Sequence, residues 1–230
     1  MPGELSALQL VLTGDPALFA IVRLSLIVSL SAVVLAALIG IPAGAALALT
    51  RFRGREATIV VLNAAMGLPP VVVGLAVFLL LSRSGPLGDL GLLFTPAAMV
   101  IAQTVLVTPI IAALTRQTIE DLWVEYREEL AAMNIGPTRR VLTLIWDARF
   151  SLVTALLAGF GRAAAEVGAI IVVGGNIEGF TRTMTTAIAL ETSKGDLPLA
   201  IGLGIILICI VVAINALAWG ARRAGERVAG

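Results

Sequence analysis

Long apolar windows separated by short polar segments dominate the chain. Four windows of 25 or 26 residues contain no Asp, Glu, Lys or Arg: Leu24 to Leu49, Ala57 to Ser82, Leu90 to Thr115 and Leu197 to Ala221. Each exceeds the roughly 20 residues that an α-helix needs to cross the hydrocarbon core of a bilayer. A fifth apolar stretch, Phe150 to Ile177, is interrupted only by Arg162 and Glu166 and reads as a span carrying two charges. The pattern predicts an all-α integral membrane protein, a single transmembrane domain over residues 1–230. Its five helices fall at approximately 18–50, 57–82, 90–115, 150–177 and 197–221.

Between the third and fourth windows lies a polar island, residues 116–149, which holds 11 of the 31 charged residues. At its centre Leu130-Ala131-Ala132-Met133-Asn134-Ile135-Gly136 forms a short helix-forming run that stops at Gly136-Pro137. An island of this kind suits docking onto a partner outside the lipid. Charge then fixes the topology. Arginines gather in the island, at Arg51, Arg53 and Arg55, and near the C-terminus, whereas the opposite side holds Arg83, Arg182 and Lys194, with Arg23 near its border. By the positive-inside rule the island is cytoplasmic, the N-terminus faces out and the C-terminus in. Met1 to Thr13 has a weakly amphipathic pattern suited to the outer interface.

Composition agrees with this picture: 59% of residues are hydrophobic, 13% are charged and the mean hydropathy is +1.02. That is too little polar content to coat a soluble globule of 230 residues. The formal net charge of +1 says nothing about partners, because charge is segregated by side, and there is no nucleic-acid signature. The single lysine, Lys194, follows Ser193, so no G-x-x-x-x-G-K-[ST] phosphate loop exists and the chain is not expected to be an ATPase. Histidine is absent and Cys209 is the only cysteine, which removes the usual metal clusters and nucleophile–base pairs. The expectation is a chain with no catalytic residue, no metal site and no bound cofactor.

Within the spans, four features stand out. Ala36, Gly40, Gly44 and Ala48 recur at four-residue spacing, a stripe that admits close helix packing either within the chain or against a second subunit. Pro69-Pro70 sits mid-way along the second span, where the missing donors open the helix ladder, giving either a simple kink or a bend that lines a pathway. Arg162 and Glu166 are four apart and share a helix face, so they can pair and should face protein or water rather than lipid. Such a pair holds helices together or serves the transported species. Beyond the fourth span, Gly175, Asn176 and Arg182 lie in a stretch rich in glycine and hydroxyl residues, either an exposed loop or a partly re-entrant outer mouth.

In order and spacing these residues resemble the permease subunits of ABC importers, specifically the group that handles tetrahedral oxyanions. Ala131, Ala132 and Gly136 hold three marked positions of that family's cytoplasmic E-A-A, three residues, Gly loop. Leu130 stands at the Glu position, with Glu128 and Glu129 just before it. Leu68-Pro69-Pro70 through Gly74 looks like the second span of molybdate-type permeases, and Arg162 through Ala169 like their fourth-span signature. Gly174 to Ile177 and Thr181 to Asp196 are similar to the tungstate-type branch. The resemblance implies a type I importer fold with a cytoplasmic coupling helix, in the plasma (cell inner) membrane of a prokaryote. It also implies a homodimer, two cytoplasmic ATPase subunits that use ATP and Mg, and an extracytoplasmic oxyanion-binding protein. Glu128, Glu129, Leu130, Ala131, Ala132 and Gly136 would then couple to the ATPase, and Pro69, Pro70, Arg162 and Glu166 would line the pathway. Tungstate is the cargo this favours, with molybdate or sulfate as alternatives. An ATP-independent secondary transporter or a membrane scaffold are the competing classes.

Overall fold

A computed structural model describes residues 16–229, which are all-helical with no strand among them. The Met1–Thr13 segment lies outside the described residues. The order is α1 (Pro16–Leu49), α2 (Arg55–Met66), α3 (Pro70–Leu81), a 3-10 turn at Gly88–Leu90, α4 (Pro96–Ala132), α5 (Pro137–Asp147), α6 (Arg149–Ala164), α7 (Gly168–Gly174), α8 (Met184–Lys194) and α9 (Leu197–Ala229). Three helices are long and apolar enough to cross a membrane, within α1, α4 and α9. Two bent pairs, α2 with α3 and α5 with α6, raise the number of candidate spans to as many as five.

Helix α4 is the spine. Thr95 caps it by accepting the Ala98 N–H, and Pro96 at its first position supplies a φ already suited to a helix. Glycine is absent from its 37 residues and the internal Pro109 does not end it, so the helix continues past Thr115 through the first half of the island. The third span therefore begins at Pro96 rather than near Leu90, and it does not end where its apolar window ends. Charge ends contact with lipid; it does not end a helix, and the residues after Pro109, from Ile110 to Ala132, include neither proline nor glycine.

Around α4 the core divides into layers. At the island end, Ala45, Ile119, Leu130, Leu144, Ala148 and Leu152 pack together. Val33, Ala36, Val107, Ile111, Phe160 and Ala163 form the middle layer. At the far end Val73, Val77, Met99, Ala102, Ala169 and Val173 bring α3, α4 and α7 together. The small-residue stripe of α1 lies against α4 of the same chain. A Cβ on Gly40 would sit 3.1 Å from the Thr108 carbonyl oxygen, and one on Gly44 would sit 2.9 Å from Thr115 Cβ. Intrachain packing is thus the use the stripe finds.

The second and fourth spans are not continuous helices. α2 and α3 meet at 100° across Gly67-Leu68-Pro69. Two prolines in succession remove two donors and push the residue before each out of the helical region, which turns the chain rather than bending it slightly. In the fourth span, α6 stops at Ala164 and the short α7 starts at Gly168. Of the helices at the island end, α5 buries only Leu144 and leaves Leu142 and Trp146 exposed.

Candidate functional site

The breaks in the second and fourth spans lie against each other. A Cβ on Gly74 of α3 would come within 2.8 Å of the Ala169 Cα of α7, and one on Gly168 would meet Val71 Cγ2 at 2.7 Å. Two half-length helices thus touch near their N-terminal ends, one starting at Pro70 and the other at Gly168. Pro69, Pro70, Glu166 and Gly168, read separately in the sequence, belong to one region.

Glu166 holds the fourth-span break open. Its carboxylate is buried, and it accepts from Arg162 Nη1 at 2.6 Å through Oε2 and from the Ala169 N–H at 3.1 Å through Oε1. One oxygen therefore finishes α6 and the other caps α7. The Glu166 backbone carbonyl, freed by the break, accepts the Thr185 hydroxyl at 2.8 Å. Arg162 is 30% exposed in its side chain against 4% for Glu166, so the pair presents its cationic member to open space.

Thr185 belongs to a segment that packs inward. Thr181, Thr183, Thr185 and Thr186 are all buried, and the Met184 N–H donates to Ser25 Oγ of α1 at 2.7 Å. Thr183 and Thr186 form a capping box that starts α8. Within this stretch Ile177 to Phe180 are exposed, whereas Thr183 to Ala187 are buried. Gln103 of α4 completes the region, donating from Nε2 to the Ala163 carbonyl at 3.0 Å while its buried Oε1 has no partner among the described residues. Ser25, Ser29, Gln103, Thr183 and Thr185 line a cavity of about 10 Å³, room for about one water. Sequence reasoning passed over Ser25, Gln103 and Thr185. Their signal was present: Gln103 is the one side-chain amide in its apolar window.

Gly175, Asn176 and Arg182 sit at the opposite end from the island. Gly175 ends α7 with φ +71°, and Asn176 follows with φ +50°. Arg182 lies 3.6 Å from Glu178.

At the other end of α4 the island folds into an elbow. The Ile135 N–H bonds to the Leu130 carbonyl and the Asn134 N–H to the Ala131 carbonyl, with Asn134 at φ +50°. This is the Schellman arrangement, accompanied by contact between Leu130 and Ile135 in one apolar cluster. The helix therefore ends at Ala132, and Met133 to Gly136 are turn, whereas the sequence pattern carries one helical run as far as Gly136. Asn134 tolerates the left-handed conformation that ends it. Arg140 braces the elbow from α5, donating to the Ile135 carbonyl at 3.2 Å and stacking over Trp123. Leu130 faces inward, whereas Glu128, Glu129, Ala131, Ala132, Met133 and Gly136 are exposed. Nearby, the Glu125 carboxylate, with smaller contributions from burial, Asp147 and Glu129, raises the Tyr126 phenol above its ordinary range, a sign of the negative field on this face. The elbow and the paired breaks are distinct sites, joined by α4.

Membrane-length helices, breaks that lie inside the apolar windows and an exposed elbow at one end describe an integral membrane protein. Comparison with known proteins gives the family. No family model matches the chain. It is 43% identical over 210 residues, 89% of this chain and 90% of the relative, to a probable anion ABC transporter permease of Haloferax volcanii. It is 40% identical to the tungstate uptake permease TupB of Peptoclostridium acidaminophilum, over 93% of this chain and 94% of that one. Against TupB of Campylobacter jejuni the identity is 36%, over 93% and 89%. Permeases named for sulfate and molybdenum transport match at lower identity. The chain belongs to the permease subunits of oxyanion ABC transporters.

Proposed function

We propose that this chain is the membrane subunit of an ATP-driven importer and that it moves a tetrahedral oxyanion, tungstate, by alternating access. In this reading it crosses the membrane five times, with its N-terminus outside and the elbow in the cytoplasm, and works as a homodimer. Two separate ATPase subunits bind ATP and Mg, and an extracytoplasmic binding protein delivers the ion. The chain itself supplies neither a catalytic residue nor a cofactor site.

One observation carries the mechanism: α4 runs unbroken from Gln103, bonded to the fourth-span break, to the elbow at Leu130. At 1.5 Å per residue that is a lever of about 40 Å. Seated in a groove of the ATPase, the exposed face formed by Glu128, Glu129, Ala131, Ala132 and Gly136 would follow closure of the nucleotide sites. The motion would reach Ala163 and the Arg162–Glu166 pair through α4. Broken helices supply the bistable element, because their carbonyls and N–H groups are already held by side chains rather than by a continuous ladder.

Uptake by the chain reconstituted in liposomes with its ATPase and binding protein tests the reading, with tungstate in competition against molybdate and sulfate. ATP-dependent accumulation of tungstate, displaced poorly by the other two, is expected. Accumulation without ATP, or by the chain alone, would replace the reading with a secondary transporter, and preferential displacement by molybdate or sulfate would reassign the cargo.

A further inference from the structure

A second concave site lies at the end of the molecule opposite the elbow. It is a cleft of about 340 Å³ between the start of α1 and the loop before α8, with Ile21, Arg23, Ile27, Glu178, Phe180 and Arg182 in its wall. This volume is in the range of small-ligand sites, roughly 300 to 1,000 Å³.

Its charges are unusual. Arg23 stands on an exposed apolar stripe of α1, with Phe19 and Ile27 one turn to either side, and has no ion-pair partner among the described residues. Near this end of α1 its long side chain brings the guanidinium to the water interface, where an anion can reach it. Arg182 is mostly buried; its Nε has no partner among the described residues, and its Nη1 is only loosely held, 3.6 Å from the well-exposed carboxylate of Glu178. Two guanidinium groups and one well-exposed carboxylate thus line the same cleft, and guanidinium donors form planar forks that suit oxyanions.

The small hydroxyl cavity is lined by the same turns of α1 as this cleft. Ile21 lines the cleft, and the Ile21 carbonyl accepts the hydroxyl of Ser25 at 2.9 Å. Ser25, together with Thr183, the residue after Arg182, lines the small hydroxyl cavity beside Gln103 and the fourth-span break. The two hollows thus share the Ile21–Ser25 turn of α1 but no lining residue.

We propose that Arg23 and Arg182 form the entry site for a tetrahedral oxyanion. The role as an entry point rests on the transport reading above; the anion site itself does not. The test is protection from arginine modification. The assembled transporter in phosphatidylcholine nanodiscs is treated with phenylglyoxal, in tungstate or in chloride at equal ionic strength, and each arginine is followed by peptide mass spectrometry. Tungstate is expected to slow modification of Arg23 and Arg182 by about tenfold, the ratio that ~1.4 kcal/mol represents, and to leave Arg83 unchanged. Arg23→Gln, a change at an exposed position, should abolish protection of Arg182, and Arg182→Gln that of Arg23. Equal rates in tungstate and chloride would overturn the site. So would protection by phosphatidylglycerol nanodiscs without protection by tungstate, the signature of a lipid headgroup. Protection in a complex that moves no oxyanion in liposomes would sink the transport reading and leave the anion site standing, and normal transport without protection would do the reverse.

Discussion

The side-chain amide of Gln103 donates to the backbone carbonyl of Ala163 at 3.0 Å, tying the unbroken helix α4 to the last turn of α6 just before the break that holds Glu166. The bond is fully buried, so it is specific and costly to lose. Gln103→Leu removes this donor and leaves the Ala163 carbonyl to the Glu166 N–H, which it already accepts at 3.2 Å, at a cost of about 1 kcal/mol. The expected result is a lower melting temperature of the purified transporter and slower uptake with ATPase binding intact. Unchanged melting and flux would show that α4 does not act through this bond.

The Arg162–Glu166 pair predicts unequal variants. Arg162→Gln strands a buried carboxylate, at a cost of about 3 kcal/mol or more. Glu166→Gln keeps an oxygen for the Ala169 N–H and leaves the more exposed Arg162 to water, costing about 1–2 kcal/mol. Thermal unfolding in detergent should rank Arg162→Gln as the more damaging, with the double variant partly recovered. The reverse order would mean that the arginine, not the carboxylate, is the desolvated partner.

Gly74 and Gly168 should also differ. A methyl at Gly74 meets the backbone of Ala169, which has nowhere to go, so Gly74→Ala should cost about 1–3 kcal/mol. At Gly168 the obstacle is the Val71 side chain, itself more than half exposed, so Gly168→Ala should be milder and relieved by Val71→Ala. Melting of the three variants checks both statements.

Asn134 holds φ +50° at the end of α4. Asn134→Gly should leave stability unchanged or slightly higher, whereas Asn134→Ala should cost about 1 kcal/mol, since a left-handed conformation disfavours most L-residues. If both variants melt like the parent, the turn is not the stop that defines the elbow.

Gly136 separates folding from docking. It has an ordinary φ of −65°, and a Cβ there meets nothing in the chain within 4 Å. Gly136→Leu should therefore fold and insert normally yet weaken co-purification of the ATPase by about tenfold, or ~1.4 kcal/mol. Normal assembly and coupled uptake in this variant would remove the elbow from the proposed joint.

Much of this architecture was legible in the sequence because it depends on length and solvation. Apolar windows gave the membrane helices of α1, α4 and α9, and the adjacent prolines gave a break after Met66, since a missing donor acts wherever it occurs. The 100° turn was not legible, because its size depends on what α3 packs against. Nor was the fourth-span break: Ala163-Ala164-Ala165-Glu166-Val167 contains no helix breaker. Its cause is long-range, for Glu166 gives its carboxylate to Ala169 and its carbonyl to Thr185, bonds that compete with the helix only when α7 and α8 are in place. Likewise the charges of the island marked where lipid ends, and α4 continued through them.

By itself, then, the sequence determined which segments leave water and which residues lack backbone donors, both local consequences of transfer energy and covalent structure. Only the tertiary structure decided that the Pro70 and Gly168 helix starts meet, that Gln103 reaches Ala163, and that Arg23 and Arg182 share a cleft. Those relationships join residues far apart in the chain, and packing alone brings them within bonding distance.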